Sequence, residues 1–348
     1  MRKGKIALSI LCLVVGFLSC NKDDGGDNIT QIELEDRTEQ QAKDKDSLVK
    51  YLNGHYYNAS VFVNNPDPSI KDLIISELPS DGVVPDPDNN KLLMDAVDLK
   101  IVVFSETNYE FYVLDLNPLA GGDSPKFSDQ IRVSYEGFTL DNEVFDSAVT
   151  PVDFDLVSLV PGWRKVMPFF NGAESFTSEN DGTVNYMNHG VGVMFLPSGL
   201  AYFNNATGGI PSYASIAFKF DLFQIDLADH DNDGVPSYME DLTGDGEFTF
   251  NVDDAVADDD TDGDNIPDYV DLDDDGDGVP TLDELEPNTY TVNTNLGEQE
   301  PVLGAKEFEI DRSENGGIIT IKTVTIKDSN NDGVDDYLDE NIKINYNE

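Results

Sequence analysis

Asp229-x-Asp231-x-Asp233-Gly234, with Glu240 at the twelfth place, sets oxygen ligands on alternate residues of one short loop. Asp273-x-Asp275-x-Asp277-Gly278 with Glu284 repeats the spacing. Asp260-x-Asp262-x-Asp264-Asn265 ends at Asp271 and has Asn in the glycine place, where Asn tolerates the left-handed backbone such a turn needs. Asp328-x-Asn330-x-Asp332-Gly333 ends at Asp339. Asp268 and Asp336 add carboxylates at the ninth places of their loops. Hard cations take six to eight oxygens at about 2.3–2.6 Å, and alternate Asp side chains on a tight loop deliver them. The pattern therefore predicts calcium ligation in a structural role. Asp241-x-Thr243-x-Asp245-Gly246 is a degenerate fifth candidate and is left out. An acidic disordered spacer is the alternative, and the regular spacing argues against it.

A second set of residues is apolar. Leu159-Val160-Pro161-Gly162-Trp163 holds the only Trp of the chain. It lies between a block of strand-like segments (130–156) and a second block (190–226). A Trp so placed buries a large area and seeks a partner for its indole N–H; a plain core Trp is the other reading. His55, His189 and His230 have no matching partners in the sequence, so no Ser–His or Cys–His set for nucleophilic catalysis is legible.

The chain of 348 residues is long enough for two or three domains. Its 69 acidic against 21 basic residues, net −48, exclude nucleic acid and anionic membrane surfaces as direct partners. From Asp229 to Glu286 there is no Lys or Arg, which marks a block of cation sites or a self-repelling tail. Cys12 and Cys20 are the two cysteines, so no disulfide framework holds the rest together.

Arg2, Lys3 and Lys5 precede the apolar run Ile6 to Leu18, which is too short for a transmembrane helix and fits a signal peptide over 1–19. Ser19-Cys20 after that run resembles the lipobox of bacterial lipoproteins, although Phe17 and Leu18 depart from its usual residues. The resemblance implies lipid attachment at Cys20, so that the membrane is met through the anchor alone. An ordinary signal peptide with an incidental Cys is the alternative. Residues 20–30 read as a flexible tether. Within it Lys22-Asp23-Asp24 resembles the acidic export signal of surface lipoproteins in Bacteroidetes-type bacteria, implying an outer-membrane lipoprotein of the cell envelope for which surface exposure and a periplasmic orientation both stay open.

The elements that must position these residues follow in order. Residues 31–108 form an accessory segment: a helix over Ile32 to Leu52 stopped by Asn53-Gly54, turn-rich stretches, and a strand over Leu99 to Phe104. Tyr109 to Leu116, Ile131 to Tyr135, Val144 to Asp146, Phe154 to Leu156, Val191 to Leu196 and Ser215 to Ile225 read as strands. One short helix is expected within Pro161 to Phe170, beginning near Trp163, and Ser178 to Thr183 reads as a turn-rich insertion. Strands around one short helix predict an α+β domain with a single curved antiparallel sheet. Residues 228–286 carry the acidic repeats. Residues 287–348 read as β-rich, with a hairpin at Gly316-Gly317 and the last acidic loop.

The segment from Asp129 to Asp226 resembles FKBP-type peptidyl-prolyl isomerases, which places such a domain over 109–227. The resemblance rests on VSYEG (133–137), VFDS (144–147), PVDF (151–154), LVPGW (159–163), LPSGLAY (196–202) and GGIPSYASIAFKFDL (208–222), in order. It implies Trp163 as the floor of a proline pocket and Tyr135, Phe145, Ile210 and Phe218 as its walls. It also implies Val160 as the backbone donor to the ligand, Asp146 beside Phe145, and Tyr202 as the rim tyrosine. Val152 stands where the family usually has Phe, and Phe203 where Gly usually follows the rim Tyr. Proline-containing polypeptides are the implied substrates, and catalysis needs no cofactor. The oligomeric state stays open. A non-catalytic binding or chaperone module on the same scaffold is the rival, favoured by Val152 and Phe203. The acidic loops match the EF-hand spacing, but Pro236, Pro267 and Pro280 at their eighth places, without long flanking helices, resemble thrombospondin type 3 repeats more closely.

Overall fold

A computed structural model describes residues 34–249 and 258–347. The expected leader (1–19), the tether (20–30) and Cys20 lie outside the described residues, as does 250–257 of the acidic block.

Helix α1 spans Arg37–Gly54. Its good helix formers run without Gly or Pro until the last residue, and the Asp36 carboxylate caps it by accepting from the N–H groups of Thr38 and Glu39. Leu48, Tyr51 and Leu52 share one face and are buried. Full burial of Leu48 and Leu52 contributes roughly 1.5–3 kcal/mol each. Three short strands follow, β1 (His55–Tyr57), β2 (Ile75–Glu77) and β3 (Lys91–Leu92), forming a small sheet with β1 in the centre.

The main sheet has six antiparallel strands: β4 (Asp98–Phe104), β5 (Thr107–Asp115), β6 (Gln130–Thr139), β7 (Val144–Asp155), β10 (Gly190–Leu196) and β11 (Ile216–Asp226). Their spatial order is β4-β5-β10-β11-β6-β7. Between β7 and β10 lie helix α2 (Pro161–Val166) and the hairpin β8 (Ser175–Ser178) and β9 (Val184–Met187). Helix α2 packs on one face of the sheet, where Phe218, Phe220 and Trp163 share a core. Helix α1 packs on the other, against Tyr112, Leu114 and Phe195. Covered on both faces, β10 is buried at every residue, which is why it reads as a continuous apolar run.

The expected single antiparallel sheet around a short helix is thus present, with three differences. Val144–Asp146 and Phe154–Leu156 are not separate strands, since β7 runs unbroken from Val144 to Asp155. It pairs with β6 through irregularities at Val133/Tyr135 and Gly137/Phe138, and as an edge strand it tolerates Pro151. Helix α2 starts at Pro161, two residues before Trp163, because proline is preorganised for the first helical position. The stretch that reads as turn-rich is a turn, residues 179–183 forming the tip of the β8–β9 hairpin. Finally, β4 pairs along its whole length with β5, so the sheet begins within the segment assigned to 31–108.

After β11 come the acidic loops, of which those beginning at Asp229, Asp260 and Asp273 are each closed by a single 3-10 turn, and then a second sheet, with the Asp328 loop and its 3-10 turn beyond it. The second sheet contains β12 (Glu286–Asn293), β13 (Glu307–Asn315) and β14 (Ile318–Thr325), in the order β12-β14-β13. The β13–β14 hairpin turns at Gly316-Gly317 as expected, with both at positive φ. Strand β12 falls within the stretch that reads as β-rich, in which the sequence places only the hairpin. A small core of Val235, Leu285, Val324, Ile326 and Tyr337 fastens three acidic loops to β14. No helix among the described residues is long and apolar enough to cross a membrane.

Candidate functional site

The eight residues expected to form the pocket come from five different parts of the chain, and most meet around Trp163. Strand β6 supplies Tyr135, β7 supplies Phe145 and Asp146, α2 supplies Trp163, and β11 supplies Phe218. The irregular stretch between β10 and β11 supplies Tyr202 and Ile210. Trp163 is 2 % exposed. Tyr135 meets it edge-on with centroids 5.9 Å apart, and Phe218 lies tilted at 5.1 Å. Phe145 stands edge-on to Phe218 at 5.5 Å. Ile210 is buried in the same core, Tyr202 and Val160 are half-buried against it, and Val160 is the N-cap of α2. Aromatic pairs in these geometries favour each other beyond their buried area, so the cup is a rigid unit.

Phe154 belongs to this cup and was not among the expected walls. It packs edge-on to Trp163 at 5.6 Å and tilted to Tyr135 at 5.2 Å. Its alternation with Val152 along β7 was the available signal. Val152 itself pairs with Val133 and packs against the same core.

One polar contact orders the wall. The Tyr135 hydroxyl donates to the Asp146 carboxylate at 2.6 Å. Burial, followed by this hydrogen bond, pushes the Tyr135 phenol well above its ordinary value. Burial and then the Asp146 charge also raise Tyr202. Both hydroxyls thus remain protonated donors at neutral pH, beside an apolar floor.

The acidic loops share one backbone construction. In the first, Asp229 accepts from the N–H groups of Asn232 and Gly234 at 2.7 and 3.0 Å, and Gly234 has φ +97°. Asn265 takes the equivalent place at φ +77°, as its small polar side chain allows, while Asp260 accepts from its N–H at 2.8 Å. Gly278 and Gly333 repeat the arrangement on Asp273 and Asp328. The omitted Asp241 loop is built the same way: Asp241 accepts from Gly244 and Gly246 at 2.7 Å each.

Carboxylate oxygens converge in the sets Asp229/Asp231/Asp233, Asp260/Asp262/Asp264 and Asp273/Asp275/Asp277, each within 4.8 Å. A further set joins Asp233 and Glu240 to Asp274, all buried. Asp274 was missed because it sits at an even place of its own loop; only the fold brings it to the first loop. Among the described residues, both oxygens of Glu240 and of Asp274 have no hydrogen-bond partner, nor do one each of Asp231, Asp233, Asp275, Glu284 and Asp336, while Asp277 Oδ2 faces the Lys343 ammonium at 3.4 Å. Burial first, then the neighbouring Asp233 carboxylate, pushes Glu240 up to about 11 and Asp274 to about 10. Burial and Asp275 raise Glu284 to about 9. Asp231 and Asp233 are raised by burial and by the surrounding carboxylates. Orphaned buried oxygens of this kind fit a hard cation.

Other predicted ligands are engaged within the chain. Asp268 accepts from the Thr261 N–H and hydroxyl at 2.8 and 2.7 Å. Asp271 accepts from Leu272 and Asp273. In the last loop the Asn330 amide bridges Asp332 and Asp339 at 2.9 and 3.1 Å, and Asp336 accepts from the Ser329 N–H.

Histidine partners do occur in space. His230 Nδ1 lies 2.8 Å from the Ser237 hydroxyl and its Nε2 lies 3.5 Å from Asp155. Ser237 is fully buried, so this trio joins the first loop to β7 and offers no accessible nucleophile.

The family model described as BamM C-terminal matches residues 230–303, from the first acidic loop into the second sheet. The chain is similar to the FKBP-type peptidyl-prolyl cis-trans isomerase FkpA of Aeromonas hydrophila, 27% identical over 171 residues, covering 48% of this chain and 57% of that protein. It is 28% identical to FkpA of Escherichia coli K12 over 107 residues, covering 30% of this chain and 34% of the relative. The chain thus spans between about a third and somewhat over half of these relatives. A solved peptidyl-prolyl cis-trans isomerase from Pseudomonas syringae pv. tomato is 19% identical, covering 37% of this chain and 80% of its own, with a TM-score of 0.29.

Proposed function

We propose that this chain is an FKBP-type peptidyl-prolyl cis-trans isomerase that assists exported or surface proteins in folding. The observation that carries the reading is the Trp163-floored aromatic cup, assembled from the residues through which the sequence resembles these isomerases. The similarity to the FkpA proteins supports it.

The chemistry asks for little else. An X–Pro bond rotates over a barrier of about 18–20 kcal/mol because amide resonance must be broken. Left alone it takes roughly 10–100 s. An apolar cup takes the imide carbonyl out of water, where the twisted, less conjugated bond is favoured, and a few fixed donors hold the flanking carbonyls. Trp163 and Phe218 would receive the proline ring. Tyr202 would donate to a substrate carbonyl at the rim. Asp146 would hold the Tyr135 hydroxyl and thereby the wall; no acid–base step is required of it.

Asp229, Asp231, Asp233 and Glu240, with Asp274, and the loops at Asp260, Asp273 and Asp328, would hold calcium. The ion would supply the positive charge that lets these carboxylates pack without repulsion. The expected leader and Cys20 would anchor the chain in the cell envelope, at the outer membrane.

The test is cis–trans exchange of an X–Pro peptide by the mature chain with Cys20 replaced, in calcium and in chelator. Acceleration that Trp163→Ala abolishes is expected. A folded chain that accelerates nothing in either condition would overturn the catalytic reading in favour of a binding module.

A further inference from the structure

Tyr202 and Ile210, the rim and one wall of the cup, lie on the irregular stretch between Leu196 and Ile216, outside the strands that hold the other walls. Two non-glycine residues there adopt left-handed backbone, Phe203 at φ +49° and Tyr213 at φ +59°. Such conformations are unfavourable and persist only where the surroundings over-determine them. The Tyr213 N–H donates to the Phe203 carbonyl at 2.6 Å, and the two rings meet edge-on at 5.1 Å. The lip is therefore a closed unit, and something must hold it to the sheet.

Helix α1 and the residues just before it, more than 150 residues earlier, do so at three points. Arg37 places its guanidinium 4.3 Å from the centre of the Phe203 ring, and its Nη1 donates to the Tyr109 hydroxyl at 2.9 Å and towards the Gly199 carbonyl at 3.5 Å. The buried Asp44 carboxylate accepts from both the N–H and the hydroxyl of Ser198 at 2.7 and 2.6 Å. Just before the helix, the Glu35 N–H donates to the Tyr213 hydroxyl at 3.1 Å. Tyr109 lies flush under the lip: a Cβ on Gly199 would come within 2.3 Å of its ring.

We propose that helix α1 is a working part of the pocket, with Arg37 and Asp44 as positioning residues that hold Tyr202 and Ile210 in place by pinning the 198–213 lip. The inference rests on the isomerase reading for its functional consequence and on these contacts for its structural one. Substrates that engage the rim depend on it most, because an unpinned lip must be ordered at the moment of binding.

The experiment compares the mature chain with Arg37→Ala, Arg37→Lys and Phe203→Gly. It measures kcat and KM on a proline tetrapeptide, amide exchange across 198–213, and peptide binding through the fluorescence of Trp163. Arg37→Ala is expected to speed exchange in 198–213 but not in β6 or β11. It should lower kcat/KM about fivefold, the net worth of one hydrogen bond, chiefly through KM. Arg37→Lys, which keeps the charge but not the planar stack, should fall between. Phe203→Gly, which removes the stacking partner, should loosen the lip in the same way. Unchanged exchange in Arg37→Ala overturns the proposal, and so does faster exchange with unchanged kcat/KM and binding. If the wild-type chain does not catalyse, the isomerase reading falls, and exchange with Trp163-monitored binding still decides whether α1 holds the lip.

Discussion

Lys165, two residues beyond Trp163 on α2, lies with its ammonium 2.8 Å from the Glu247 carboxylate. It also donates to the carbonyls of Asp245 and Gly246 at 2.8 and 3.0 Å, and Arg164 pairs with Glu247 through both its Nε and Nη2. The helix that carries the floor of the cup is thus held by the fifth acidic loop. Phe127 and Phe248, 5.1 Å apart, and Phe248 stacked on Tyr269 at 3.9 Å extend the same junction.

Chelation should therefore reach the cup. Asp259, next to the Asp260 loop, accepts from the Thr243 and Thr249 N–H groups of the Asp241 loop, so removal of calcium from the Asp260 loop is expected to loosen this junction, shift Trp163 emission and reduce isomerisation. Glu247→Ala should mimic it in calcium, costing about 3 kcal/mol because the buried Lys165 ammonium keeps its two carbonyl acceptors but loses its counter-charge. Urea titration and the Trp163 spectrum check this together. Identical spectra and rates with and without calcium would show that α2 is indifferent to the loop.

Tyr135→Phe removes the donor to Asp146 while keeping the ring. Asp146 is exposed and can turn to water, so no buried group is orphaned, and stability should change by about 1 kcal/mol or less. The wall loses its tether, and kcat/KM should fall by roughly fivefold. An isomerisation assay beside a thermal melt separates the two. A loss in rate only in proportion to a loss of folded protein would assign the contact to stability alone.

Much of this arrangement was legible because its signals are local. Alternating Asp residues close on themselves within twelve positions, and Asn265 reads as a glycine substitute for its backbone alone. The series around Trp163 likewise placed most of the cup. What escaped depends on long-range packing. Asp274 faces the first loop only because Val235 and Leu285 share a core. The continuity of β7 was hidden by Pro151, a strand breaker that an edge position tolerates. Helix α1 read as an accessory because Arg37 and Asp44 look like ordinary helix-surface charges until the 198–213 lip is set against them.

The raised carboxylates give stability a pH dependence whose sign depends on calcium. Without the cation, Glu240 at about 11, Asp274 at about 10 and Glu284 at about 9 hold protons that the unfolded chain releases at its ordinary 4.5, 3.8 and 4.5. Their contribution is complete below about pH 4 and is lost as pH rises towards these folded values. In chelator the melting temperature should fall by about 5 °C or more between pH 5 and pH 8. With calcium bound, the same groups are held ionised, protons compete with the cation, and the trend should reverse. Calorimetry at the two pH values in both conditions measures it. A melting temperature in chelator that rises with pH would contradict the raised values.

Gly137 on β6 offers the sharpest test of the cup's upper wall. A Cβ there would lie 2.6 Å from the Phe145 ring and 2.7 Å from the Phe218 ring, so Gly137→Ala must displace one of them. Phe218 is 3 % exposed on a central strand, wedged against Trp163 at 5.1 Å, whereas Phe145 is half-buried on the edge strand β7. Phe145 should therefore give way. Swinging an edge side chain outward costs less than repacking the core, so the destabilisation should sit near the lower end of the ~1–3 kcal/mol typical of overpacking. Activity should suffer more, by about tenfold in kcat/KM, since the wall that Phe145 forms beside Phe218 is opened to water. Phe145→Ala should reproduce the activity loss without the steric strain. If Gly137→Ala destabilises by 3 kcal/mol or more while Phe145→Ala leaves the rate intact, then Phe218 is the ring that yields and Phe145 is no wall of the pocket.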